Sequence, residues 1–202
     1  MTIPYAVNSG AISSDGRFLY LLCNDNFPSG NLNAWGIQTV VLDPTTGSAT
    51  LGTWNALPAN TVGTELRLTP DGKFLYVANG TVVYGFNVNS STGAITVFGQ
   101  LTQVTNPRFL QVDKSGRFVI VGNGTILQMF SIGATGVLTG STAVTTPGFS
   151  NFIVSPSGNF LYATSGTNVI AYSINYSAGT LTIFNAPYST TGVGLNSLAI
   201  TN

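Results

Sequence analysis

Glu65 and Arg67, with Arg108 further on, are the residues whose types most readily suggest chemistry. A carboxylate such as Glu65 can act as a general base in hydrolysis, although no second acid and no metal-ligand set accompanies it. The other reading is an ion pair of Glu65 with Arg67 or Arg108 that ties neighbouring structural units together. The chain has no histidine, so Ser-His-Asp and Cys-His devices are excluded within it. Its one cysteine, Cys23, follows Leu21 and Leu22 and reads as a small core residue rather than a nucleophile. No disulfide framework, Cys-cluster zinc site or cofactor site is expected. The longest insertion, from Asn24 to Trp35, carries many side-chain oxygens but one carboxylate, Asp25, too few for a hard-cation site. With Phe27 and Trp35 it could instead contact a glycan or a neighbouring subunit, or simply cover the edge of the core.

These residues sit in an unusual background. Six Lys/Arg and six Asp/Glu occur in 202 residues, so 6% are charged, against about 25% in an ordinary soluble domain. A net charge of zero without a basic block argues against nucleic-acid binding. Hydrophobic residues reach 44%, too many for a disordered chain. No apolar run is long enough to span a membrane, and the first residues, Met1 to Tyr5, lack the pattern of a signal peptide. A surface solvated by Ser, Thr, Asn and Gly fits an extracellular or cell-surface setting. Sequons begin at Asn79, Asn89, Asn123 and Asn175, where turns also call for asparagine.

The element that must position everything is a repeat. Segments starting at Ile12, Leu68, Val112 and Val154 share an apolar residue, a turn with glycine, and Phe followed by apolar residues. The turn glycines Gly16, Gly72, Gly116 and Gly158 are 56, 44 and 42 residues apart. A second set, Gly47, Gly93, Gly136 and Gly179, keeps step at 46, 43 and 43. In the second repeat, strands are expected over 64–69, 73–78, 81–88 and 94–101, punctuated by Asp71-Gly72, Asn79-Gly80 and Thr92-Gly93. Phe74 to Val77 run apolar without alternation, as in a sheet covered on both faces. Aromatics recur in register at Phe86, Phe130 and Tyr172, with Val40 in the first repeat. Four antiparallel strands per repeat of this length is the period of a β-propeller blade.

The expected fold is therefore all-β: a propeller or arc of four blades, over 4–58, 59–104, 105–146 and 147–190, plus an extra strand at 193–202. Counting back three and four positions from Ile12, Leu68, Val112, Val154 and Ile200 gives mostly polar residues on the first strands. Asn8, Glu65, Arg67, Arg108, Asn151 and Asn196 are the candidate ring at one mouth of an axial channel.

Pro70 to Asn79, reading Pro-Asp-Gly-Lys-Phe-Leu-Tyr-Val-Ala-Asn, resembles the YVTN-type propeller repeat. The Thr-Gly-x-Ile/Leu-Thr element at Thr92 to Thr96, and approximately at Ala178 to Thr182, is similar too. The resemblance is to the lactonase-like propellers, which include 6-phosphogluconolactonase and carboxymuconate cyclase. It implies the blade fold over essentially the whole chain, and the motif carries no catalytic residue with it. Three functions are open. The first is a non-enzymatic extracellular scaffold or binding module that self-associates through open sheet edges or docks a glycan or protein. The second is a lactonase-type hydrolase with Glu65 as base. The third is a truncated or designed propeller fragment.

Overall fold

The computed structural model describes residues 2–24, 35–58, 62–101, 104–184, 187–189 and 198–199. Among them there are seventeen strands and no helix. Blade one is β1 (Ala6–Ile12), β2 (Phe18–Asn24), β3 (Trp35–Leu42) and β4 (Ala49–Ala56). Blade two is β5 (Glu65–Leu68), β6 (Phe74–Ala78), β7 (Val83–Val88) and β8 (Ile95–Leu101). Blade three is β9 (Phe109–Val112), β10 (Phe118–Gly122), β11 (Ile126–Ile132) and β12 (Leu138–Thr145). Blade four is β13 (Asn151–Val154), β14 (Phe160–Ser165), β15 (Asn168–Asn175) and β16 (Thr180–Ile183), with a two-residue β17 (Tyr188–Ser189). Each blade is an antiparallel meander whose strands lie in chain order. The chain divides into two compact units, Met1–Leu110 and Gln111–Asn202, the boundary falling within β9.

The turns explain why the chain reverses where it does. The first set of glycines has φ between 70° and 78°, the second between 66° and 82°, a region that L side chains enter only at a cost. In each first hairpin an oxygen-bearing side chain accepts the amide of the phenylalanine that opens the second strand. Ser13 Oγ accepts from Phe18 (2.9 Å), Thr69 Oγ1 from Phe74 (3.0 Å), Asp113 Oδ1 from Phe118 (2.7 Å) and Ser155 Oγ from Phe160 (3.2 Å).

Register is equally regular. Val40, Phe86, Phe130 and Tyr172 stand opposite Leu19, Leu75, Val119 and Leu161 across the second and third strands. The fourth strand of blades one to three carries one extra residue at its middle. In blade two, Gly85 pairs with Gly99 and the adjacent Phe86 with Val97, leaving Phe98 as the bulge. Blade four widens the same irregularity. Val169 pairs with Tyr188 and Tyr172 with Ile183, so β17 continues the line of β16 rather than adding a new layer. The surplus strand expected at 193–202 lies outside the described residues, apart from Leu198 and Ala199, which are in no strand.

In the first unit, the faces of blades one and two are sealed together. Tyr20, Leu22 and Ile37 pack with Leu66, Leu75 and Phe86 in one buried cluster. The opposite face of blade one buries Leu21, Cys23 and Val40 under Tyr5 and Trp54, whose rings are 4.4 Å apart. This double coverage is why β2 and β6 read as continuous apolar runs. In the second unit, Phe130, Phe152, Leu127 and Tyr172 are fully buried. Phe149 stacks edge-on to Phe152 at 5.8 Å.

Candidate functional site

The first strands place polar side chains against one another within the first unit. Asn8 is the extra residue in a bulge of β1, between the pairs Val7–Cys23 and Ser9–Leu22. Its Nδ2 donates to the carbonyls of Gly63 and Thr64, each at 3.0 Å. One residue on, Ser9 Oγ accepts the amide of Leu66 at 3.2 Å. Blade two repeats the device at the equivalent position: Glu65 Oε2 accepts the amide of Leu110 at 2.6 Å. Leu66 and Leu110 are both fully buried, so each amide would otherwise lack a partner.

Glu65 also forms an ion pair through Oε1 with Arg67 Nη2, and Arg67 Nη1 donates to the carbonyl of Leu66 at 2.8 Å. The Glu65 side chain is 16% exposed. Burial pushes its carboxyl above the ordinary carboxylate range, partly offset by the Arg67 guanidinium and the Leu110 amide. Such a carboxylate is a stronger base than an exposed one, but both its oxygens are engaged. Thr64 Oγ1, beside it, donates to the carbonyl of Ala78 at 3.1 Å. Arg108 is exposed and makes no ion pair among the described residues.

Of the residues expected to form a polar ring, Asn8, Glu65, Arg67 and Arg108 share one unit. Asn8, Glu65 and Arg67 lie on or beside the adjoining first strands β1 and β5. Asn151 opens β13 in the second unit and is half-buried, its Oδ1 accepting the amide of Phe152 at 2.7 Å. Asn196, Asp25 and Phe27 lie outside the described residues. Trp35 opens β3 and packs half-buried against the first unit's core, which is the covering role among the two expected for it. Ser9 was the residue sequence reasoning undervalued. Its signal was its place three residues before Ile12, the same offset that Glu65 holds to Leu68.

Other candidates resolve into structural roles. The Cys23 thiol is buried, and burial pushes it up to about 11, far from a reactive thiolate. The four sequon asparagines each accept backbone amides in a turn, as in Asn89 Oδ1 from Ser91 and Thr92. Asn79 is only 6% exposed, which corrects its candidacy as a glycan acceptor: an acceptor amide must reach solvent. Asn89 and Asn175 are exposed, and Asn123 is half-buried. No cluster of three metal-binding side chains occurs among the described residues.

Several known structures share this architecture. A protein from Bacteroides uniformis assigned as a 6-phosphogluconolactonase aligns with a TM-score of 0.76 at 18% identity, over 91% of this chain and 55% of its own. A protein from Lactobacillus plantarum gives 0.78 at 17%, over 93% and 56%. The periplasmic gluconolactonase of Pseudomonas aeruginosa gives 0.71 at 16%, over 93% and 58%. The chain therefore spans just over half the length of these relatives, and the likeness shows the fold. No curated protein matches its sequence. Residues 10–132 match the family described as lactonase, 7-bladed β-propeller, and with the four-stranded meanders above this establishes that the chain belongs to that family.

Proposed function

We propose that the chain is part of a sugar-lactone hydrolase. The observation that carries this reading is the lactonase family match over residues 10–132, a stretch that includes Glu65, Arg67 and Arg108. In the proposed reaction Glu65 takes a proton from a water molecule as that water attacks the lactone carbonyl carbon. The ring C–O bond breaks as Glu65 returns that proton to the departing ring oxygen, which leaves as a hydroxyl, and the product is a hydroxy acid. Arg108, exposed and without an ion pair among the described residues, would hold an anionic group on the substrate. For Glu65 to act, the Leu110 amide or Arg67 must release one oxygen, and a base with its proton affinity raised by burial is suited to that exchange.

The test is acid release from glucono-δ-lactone and from its 6-phosphate, followed with a pH indicator and corrected for spontaneous hydrolysis. Activity above background that falls at least about tenfold in Glu65→Gln, with the fold retained, supports the reading. Equal activity in the variant would remove Glu65 from the chemistry.

A second reading is favoured by the same carboxylate, because both oxygens already serve the structure. On this reading the chain is a non-catalytic scaffold or binding module outside the cell, associating with itself or a partner through free sheet edges. Absence of lactone hydrolysis together with a concentration-dependent rise in mass by light scattering supports it.

A further inference from the structure

Charge is nearly absent from residues 111–202. The only charged side chains in that stretch are Asp113, Lys114 and Arg117, all on the first turn of blade three. All three line one cleft of about 330 Å³ that also touches Ser115, Ser157 and Tyr176. The corresponding turns of the first unit neutralise their cations. Arg17 pairs with Asp15 at 2.7 Å and Lys73 with Asp71 at 3.3 Å. In blade three the acid has moved two positions earlier, to the place of Ser13 and Thr69, and serine stands before the glycine instead.

That exchange takes from Arg117 the carboxylate that Arg17 and Lys73 have, and Lys114 adds a cation where blades one and two have Ser14 and Pro70. Asp113 is 1% exposed, and its oxygens accept the amides of Arg117 (2.8 Å), Phe118 (2.7 Å) and Ser115 (3.0 Å), and the Ser115 hydroxyl. Lys114 and Arg117 are exposed, and neither forms an ion pair among the described residues. Arg117 is nevertheless held in place. Its Nε donates to Ser115 Oγ at 3.0 Å, and its guanidinium lies 5.6 Å from the Phe118 ring and 5.7 Å from that of Tyr176. Tyr176 is itself fixed, its hydroxyl donating to the carbonyl of Gly158 at 2.7 Å. A second cleft, of about 220 Å³, shares Tyr176 as a wall and offers the hydroxyl-bearing Ser131, Thr142 and Ser177 beside Met129.

We propose that these clefts form a binding site for an anionic sugar, a phosphate or carboxylate carried on a small polyhydroxylated body. Lys114 and Arg117 take the anion, Arg117 with a planar fork already oriented by stacking. The Tyr176 ring and the neighbouring hydroxyls take the sugar, whose faces are in part apolar and whose rim is polar. The site is independent of Glu65 and of the hydrolase reading.

Calorimetric titration of the whole chain with glucose 6-phosphate, gluconate, glucose and inorganic phosphate tests it and distinguishes the two anions. Saturable millimolar or tighter binding of at least one anionic sugar is expected, weakening as salt is raised. Arg117→Gln should weaken it about tenfold or more. So should Asp113→Ser combined with Ser115→Asp, which restores the arrangement of blade one, supplies Arg117 with its own carboxylate and leaves the net charge unchanged. Circular dichroism verifies that each variant is folded, and Lys73→Gln, in the self-paired turn of blade two, should bind like the native chain. The proposal is overturned if neither anionic sugar binds saturably, if both variants bind undiminished, if glucose binds as well as its phosphate, or if phosphate alone matches glucose 6-phosphate.

Discussion

Replacing Glu65 by Gln and by Ala separates what its oxygen does from what its charge does. The alanine removes the acceptor of the Leu110 amide, and Leu110 is fully buried, so that N–H is left without a partner. An orphaned buried amide costs about 1–3 kcal/mol. For a chain of this size about 2 kcal/mol is a fall in Tm of roughly 4–8 °C. Glutamine keeps a carbonyl oxygen at the same reach and gives up only the charge. The sign of that loss follows from the carboxyl, whose folded value is raised above its ordinary 4.5 because burial outweighs Arg67 and the Leu110 amide. A raised group contributes stability that is complete below its unfolded value and is lost as pH rises through its folded value. The non-titrating glutamine escapes that loss. Glu65→Gln should therefore match the native chain at acid pH and equal or exceed it at neutral pH, whereas Glu65→Ala should be weaker throughout. Urea unfolding followed by far-ultraviolet circular dichroism at a series of pH values reads both. A glutamine variant as unstable as the alanine variant at neutral pH would show that the charge pair with Arg67, not the accepting oxygen, holds these strands together.

The Tyr20 hydroxyl is fully buried with no hydrogen-bond partner among the described residues, and burial pushes it up to about 12. Tyr20→Phe should thus be neutral or stabilising by about 1 kcal/mol, measured by urea unfolding. Gly72 and Gly93 share φ of 71°, but a Cβ on Gly72 meets nothing within 4 Å while one on Gly93 would lie 2.3 Å from the Phe18 ring. Alanine at Gly72 should cost about 1–2 kcal/mol and at Gly93 a further 1–3 or so, and equal costs would mean that the Phe18 ring gives way freely. Asp15 is lowered to about 2, first by the Ser13 hydroxyl and then by Arg17, and Asp43 is lowered by the Thr45 amide and the Thr46 hydroxyl and amide. Their stabilisation is present above pH 3.8 and is lost as pH falls toward their folded values, so Asp15→Asn should flatten the acid limb of a urea-midpoint against pH curve.

The blades were legible because their requirements are local. A tight hairpin needs positive φ at one residue, and glycine meets that need visibly at Gly16, Gly72, Gly116 and Gly158. Spacing between such glycines sets strand length, and register follows, which is why Phe86, Phe130 and Tyr172 fall at one level of their sheets. The bulges were not legible. An extra residue such as Asn8 or Phe98 leaves no mark in an apolar-polar pattern, since the strand simply resumes on the other side of it. The functional reading of the first strands was harder for a related reason. A polar side chain that caps a neighbouring strand's amide and one that faces a ligand look alike in sequence. Only the distances from Ser9 to Leu66 and from Glu65 to Leu110 distinguish the two.

The turn of blade three shows how a repeat can change its chemistry without changing its fold. What the hairpin requires is an oxygen two positions before the residue that precedes glycine, able to accept the phenylalanine amide; Ser13, Thr69, Asp113 and Ser155 all meet that need. The fold is indifferent to whether that oxygen is neutral or charged. Where it is neutral, as in blades one and two, the residue before the glycine is an aspartate that pairs with the cation after the glycine. Where it is charged, as in blade three, the carboxylate is consumed by backbone amides and the cations beside it go unmatched. An exchange of positions between an acid and a serine, together with Lys114 where blades one and two have Ser14 and Pro70, thus turns a self-neutralised hairpin into a cationic one. In a chain with so few charges, the proposed anion site rests on that difference.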